Sequence, residues 1–428
     1  MTRATTGPTN WAGNIAYRAA RQHSPTSIEQ LQTLVAGARH LRPVGTGHSF
    51  NRLADTDGDQ VSVAGLPRML EVAADDRTVT IAAGMRYGEV AVPLHDGGWA
   101  LANLGSLPHI SVAGAVATGT HGSGERNGGL ATAVRALQMV VPGGELVTLE
   151  RDRDSDMFDG AIVALGALGV VTRLTLDVVP TFEIRQYVYE GLDYEQLVAS
   201  FDDVVSAAYS VSVFTDWRDP VRAQVWLKRR VDGPEQQAGE PPQDWLGATL
   251  ATGPHHPLAG MSPVNSTPQL GEPGPWYERL PHFRLGFTPS SGAELQSEYL
   301  VARGSAVAAL HAVAGLREQV AAVLQISEIR TVAADELWLS PAYHRDSVAL
   351  HFTWIADGAA VAPVVAAVEQ ALEPFEARPH WGKVFSTPPH LVRHLYERSA
   401  DFAALAQRFD PDGVLRNDML AAYFPRTS

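Results

Sequence analysis

The alternation of apolar and polar positions divides the chain into two unlike halves. In the first, short strands and helices alternate. Residues 14–19 read as a strand, and a helix follows in which Ile28, Leu31, Leu34 and Val35 share one face. Thr26 and Glu29 precede that face at capping-box spacing. Strands are expected at 41–44, 60–63 and 78–82, and a helix through Tyr87, Val90 and Leu94. Residues 134–141 and 145–150 form a hairpin pattern around Pro142-Gly143-Gly144. Residues 157–168 fit a helix stopped at Gly169, and 170–179 a buried strand.

Beyond Pro180 the strands lengthen. They are expected at 184–189, 223–228, 296–301, 323–331 and 347–354, with helices at 306–316 and 360–372. That order predicts an antiparallel sheet covered by helices on one face, hence an α+β protein of two domains. Residues 231–282 are rich in Pro and Gly and read as a surface excursion. The expected bounds are 1–180 for the first domain and 181–386 for the second. Residues 387–428 are expected to return to the first.

Composition narrows the chemistry. The chain has 428 residues, 45% hydrophobic and 19% charged, an ordinary globular make-up. Its net charge of −14 disfavours nucleic acid and anionic membranes as partners. There is no cysteine, so disulfides, thiolate metal sites and a Cys nucleophile are excluded. The 15 histidines show no ligand spacing, and no metal is expected. The N-terminal stretch lacks an apolar run of signal length and no stretch is apolar enough to span a bilayer, so a cytoplasmic location is expected. The oligomeric state stays open, a monomer being compatible with the pattern. Lysine occurs only at Lys228 and Lys383; the other 31 basic residues are arginine.

Two loops stand out. In Pro43-Val44-Gly45-Thr46-Gly47-His48-Ser49, a strand feeds a glycine turn whose N–H groups can cup a phosphate. The second loop, 105–124, carries Gly105, Ser106, Ser111, Gly114, Thr118, Gly119, Thr120 and His121. Hydroxyls and bare amides suit a pyrophosphate, and two such loops suggest a dinucleotide. Tight helix–strand packing is the rival explanation of these glycines.

Later, Glu328 with Arg330, and His351 with Thr353, sit two apart on strands, so each pair shares a sheet face. Neighbouring strands would join them in one polar patch; a solvent-facing strand side is the alternative. His380, Trp381 and Lys383 follow, a lysine where arginine is the rule.

The motifs GTGHSFN and GSLPHISVAGAVATGTHGSG resemble the PCMH-type FAD-binding domain of the vanillyl-alcohol oxidase superfamily. SEIR, HFTW and HWGK resemble motifs of its sugar-oxidising branch, most of all those of the alditol (xylitol-type) oxidases. The resemblance spans about residues 14–424. It implies an FAD-binding first domain and a substrate-binding cap, with FAD bonded to His48 and contacted by both loops and Val171. It also places His121 in the FAD pocket, near the phosphates. Ser106, Glu328, Arg330, Thr353 and Lys383 would bind a polyol, supported by His351. Lys383, Arg330, Glu328 and His351 would carry catalysis, and Gly105 would leave a path for dioxygen. The implied reaction oxidises a terminal alcohol of an alditol and releases hydrogen peroxide. An aldonolactone oxidase or dehydrogenase of the same branch is the alternative. A nucleotide-binding regulatory protein is a rival of another class.

Overall fold

The structure, a computed structural model, describes residues 8–218, 220–233, 239–286 and 293–426. Residues 1–7 of the expected first domain and 234–238 of the expected excursion lie outside the described residues. Strand β1 (Arg21–His23) leads to α1 (Ile28–Gly37), β2 (Leu41–Pro43) and β3 (Asp59–Val61). These strands form a parallel sheet in the order β1-β3-β2. Next come β4 (Leu70–Ala73), β5 (Thr78–Ala82), α2 (Tyr87–Asp96), α3 (Val112–Ala117), β6 (Val134–Val140), β7 (Leu146–Glu150), α4 (Ser155–Ile162) and β8 (Val170–Asp177). They include an antiparallel sheet of order β4-β5-β8-β6-β7.

The second half is built on a large antiparallel sheet. Its main strands are β9 (Glu183–Asp193), β10 (Ser210–Thr215), β11 (Arg222–Arg230), β12 (Glu294–Ala302), β13 (Leu324–Val332) and β14 (Ser347–Ile355). They lie in the order β9-β11-β10-β13-β14-β12. One face alternates Val211, Val213, Val225, Leu227, Ile329, Leu350 and Phe352, which form a core with α5 (Ala306–Ala314), α6 (Arg317–Val323) and α7 (Gly358–Leu372). Period-two patterning therefore turns the other face, with its polar residues, away from the helices.

The departures from the sequence reading have local causes. Residues 14–19 form no strand; Ala16 makes only a bridge to Thr9. The Asn10 and Asn14 side chains instead donate to the carbonyls of Ser49 and Phe50, both at 2.9 Å. Side-chain amides here replace a ladder and strap the N-terminal segment to the glycine turn. The cap of α1 is Ser27, whose hydroxyl accepts from the Gln30 N–H at 3.2 Å, one residue beyond the expected Thr26. Helix α4 stops at Ile162 rather than 168. Leu165 (φ 56) and Gly166 (φ 68) turn left-handed, and Leu165 and Leu168 are buried as a loop. Their burial explains the apolar pattern that mimics a helix. The expected excursion is surface only in part: among its described residues Met261, Val264 and Leu270 are exposed, whereas Trp276, Leu280 and His282 are buried.

Helices α8 (Pro389–Leu395), α9 (Ser399–Phe409) and α10 (Asp418–Tyr423) close the chain. Phe402, Leu405, Leu420 and Phe424 join the core of the first half. The Leu41 N–H donates to the Val414 carbonyl at 2.7 Å. Buried Arg42 donates to the carbonyls of Leu53, Leu165, Gly166 and Leu415. Burial lowers its pKa to about 10, with Asp410 opposing the shift. This guanidinium satisfies carbonyls from three segments at the base of the glycine turn.

Candidate active site

The turn after β2 and the loop leading to α3 meet edge to edge. A Cβ on Gly45 would lie 2.2 Å from Ser111 Oγ and 3.4 Å from Ser111 Cβ, so glycine lets the two segments meet without displacing that hydroxyl. Thr46 Oγ1 accepts from the Ser111 N–H at 3.2 Å, and Gly47 has φ 71. Among the described residues, the N–H groups of Gly45, Thr46, Gly47, His48 and Ser49 donate to no protein acceptor. Five consecutive donors without a protein acceptor are available to an anion in the cavity they line. His48 stacks on Trp11, with ring centroids 4.9 Å apart at 20°, and its Nδ1 lies 2.9 Å from Thr46 Oγ1. Burial, then Lys383, His109 and Arg86, lower its pKa to about 4, so its imidazole is neutral at ordinary pH.

Opposite these loops lies the polar face of the large sheet. Across β13, β14 and β12, Glu328 pairs with His351 and His351 with Glu298, which sets three ionisable side chains in one row. Thr353 pairs with Gln296 in the next row. Glu328 is 5% exposed, Arg330 6%, His351 8% and Thr353 9%, which excludes a solvent-facing strand side. Arg330 forms an ion pair with Glu298 and approaches Glu328 Oε2 at 3.6 Å and Ser106 Oγ at 3.4 Å. Lys383 donates to Gln296 and lies 5.1 Å from the Phe50 ring centroid. His351 Nε2 lies 3.2 Å from Thr353 Oγ1.

The charges set one another. Burial would raise the pKa of Glu328, but Arg330 and His282 hold it well below the usual range. Glu298 behaves likewise under Arg330, His121 and His351. Burial lowers the Lys383 ammonium, Glu298 pulls it back, and Arg330 adds to the lowering. Arg330 Nε, His121 Nε2 and His351 Nδ1 are buried without a well-formed hydrogen bond, although carboxylates lie within 3.3–3.6 Å. Such groups are poised to accept further partners.

One cavity of about 710 Å³ joins the two sides. All the sequence-predicted site residues line it except Gly119, whose turn (φ 67) packs against Pro341. His121 lines the same cavity, 3.3 Å from Glu298 and 6.2 Å, ring to ring, from His380. Glu298, Gln296 and His282 also line the cavity and were missed. Glu298 and Gln296 obey the same i, i+2 rule that exposes Glu328 and Arg330.

Residues 21–150 match the model of the FAD binding domain family, and 293–423 that of D-arabinono-1,4-lactone oxidase. The chain is 51% identical over 419 residues to the alditol oxidase of a Streptomyces species, across 97% of this chain and 98% of that one. The chain belongs to the alditol oxidase family. Within the same superfamily, L-gulono-1,4-lactone dehydrogenase of Mycobacterium tuberculosis is more distant, 28% identical over 96% of this chain and 97% of its own. Cholesterol oxidase from B. sterolicum shares the fold, with a TM-score of 0.75 at 16% identity over 98% of this chain and 97% of that one.

Family membership makes FAD the expected occupant of the glycine-lined end, and the residues there fit it. The unpaired amides of Gly45–Ser49 and the hydroxyls of Ser111, Thr118 and Thr120 suit a pyrophosphate. Apolar Val171, Leu174 and Met139 line the same cavity.

Proposed function

We propose that the chain oxidises a terminal hydroxyl of an alditol such as xylitol or sorbitol to the aldose, using FAD bonded to His48. The observation that carries this reading is the buried row Glu328–His351–Glu298 with Arg330, facing the glycine loops across one cavity. A chain of hydroxyls matches such a set, since each OH both donates and accepts. The identity to alditol oxidase supports the same substrate class.

When bound at the glycine-lined end, FAD would supply the hydride acceptor, with dioxygen as the final oxidant and hydrogen peroxide as its product. The chain's own residues manage the proton and the charge. The reacting hydroxyl must lose its proton as the carbon loses hydride. Arg330 and Lys383 stabilise the developing alkoxide in a water-poor pocket. Lys383 lines the cavity and its hold on a proton is weakened by burial, which suits it to take that proton. Glu328 and Glu298 hold the guanidinium in place. The neutral imidazole of His48 keeps a ring lone pair for bonding to the flavin.

Peroxide release from xylitol, sorbitol, glycerol, gulonolactone and galactonolactone tests the substrate class. Polyols should lead the panel; preference for the lactones would reverse the reading. Lys383→Met and Arg330→Ala should each slow flavin reduction by about 100-fold or more with FAD still bound. Near-wild-type reduction in both would remove them from the chemistry. Acid precipitation should leave a yellow pellet in the wild type and a colourless one in His48→Ala.

A further inference from the structure

Lysine stands at two positions only. Lys383 lines the cavity; Lys228 does not. Lys228 lies on β11, 1% exposed, behind the polar row. Its Nζ donates to the Leu280 carbonyl and, at 3.2 Å, to Nδ1 of His282. An ammonium has donors and no acceptor, so Nδ1 must accept and the ring proton sits on Nε2. Nε2 is 2.7 Å from Glu328 Oε1 and 3.5 Å from Ser212 Oγ. Phe214 and Trp226 clasp the ring edge to face, at 5.2 and 5.6 Å, which resists its turning over. The Leu280 carbonyl and Nδ1 offer two acceptors, too few for the five N–H groups of an arginine. That accounts for a lysine here in a chain otherwise built with arginine.

We infer that Lys228 is a positioning residue: it fixes the His282 proton on Nε2, aims it at Oε1 of Glu328, and so leaves Oε2 as acceptor for a substrate hydroxyl. The inference rests on the polyol reading of the cavity. Burial lowers the Lys228 pKa to about 7; when the amine is neutral, the Glu328 carboxylate, which can only accept, keeps the ring proton on Nε2 and leaves Nδ1 to accept from Nζ. His282 itself is lowered to about 4, by burial first and Lys228 next, against the pull of Glu328. Arg330 adds to the lowering.

The test compares wild type, Lys228→Met, His282→Phe and the double variant as flavin-loaded enzymes turning over xylitol. Lys228→Met keeps the apolar stem and leaves no unpaired buried charge. It should raise the xylitol KM about tenfold or more, the scale of a hydrogen bond to a charged group, with FAD content unchanged. Without the neighbouring ammonium, His282 should protonate more readily, so the acid limb of kcat/KM should move to higher pH. In the His282→Phe background, Lys228→Met should add little. An unchanged KM and pH profile, or additive effects, would overturn the inference and leave the polyol reading intact. A wild-type enzyme that releases no peroxide from xylitol would overturn the polyol reading instead. Nitrogen NMR of histidine-labelled wild type, assigned against His282→Phe, tests the tautomer without Lys228→Met. The Nε2–H form is expected, and the Nδ1–H form would contradict the inference.

Discussion

Arg330 is held between two carboxylates, one of them shared with two histidines. Glu298 is therefore expected to matter as much as Glu328. Glu298→Gln keeps the shape but removes the charge that balances Arg330. Polyol-driven flavin reduction should fall more than about tenfold, and thermal stability should drop, because a buried guanidinium loses half its compensation. Unchanged reduction kinetics in a flavin-loaded variant would exclude this role. The i, i+2 spacing made Glu328, Arg330, His351 and Thr353 legible, and applying it to strand β12 would have added Gln296 and Glu298. His282 was not legible, because Pro and Gly in residues 231–282 suggested surface, while Trp276 and Leu280 anchor that stretch in the core.

At the level of elements, the glycine turn works through close approach. Gly45→Ala would press a Cβ on Ser111 Oγ and turn that hydroxyl out of the cavity lining. FAD content should fall, measured as bound flavin per chain; full loading would contradict the role given to the turn. Gly105→Ala is the contrast. Its Cβ would meet His121 O at 3.6 Å, an ordinary contact, so folding and polyol reduction should persist while reoxidation by dioxygen slows. Equal reoxidation in stopped flow would dissociate Gly105 from oxygen access. In the connection between β13 and β14, Asp335 has its pKa raised to about 6 by burial, despite hydrogen bonds from Ser340 and the Leu337 N–H. A folded-state pKa above the unfolded one means stability that is full at low pH and lost as pH rises through about 6. Asp335→Asn should therefore raise Tm at pH values above that point more than below it; a pH-independent change would argue against the shift. The turn was readable because glycine spacing reports backbone need directly. The end of α4 was not, because buried loops and helices share an apolar composition.

For the whole molecule, the decisive geometry is the meeting of two halves. Ser106 from the glycine side reaches Arg330 on the sheet, and the backbone N–H of His282 donates to the Ser106 carbonyl at 3.3 Å. Arg42 ties the flavin-side turn to the C-terminal segment. Arg42→Ala would strip hydrogen bonds from buried carbonyls at roughly 1–3 kcal/mol each, enough to threaten folding. The α+β class and the helix-covered sheet followed from strand lengths and periodicity, whereas the joining of the halves depends on long-range contacts that no local pattern carries. The central claim is that this joint brings a polyol to a flavin. Anaerobic mixing of the purified enzyme with xylitol, followed by its visible absorbance, tests it most directly. The yellow flavin band should bleach fully in a single turnover and return on admitting air. A band that xylitol and sorbitol leave unbleached would contradict the account.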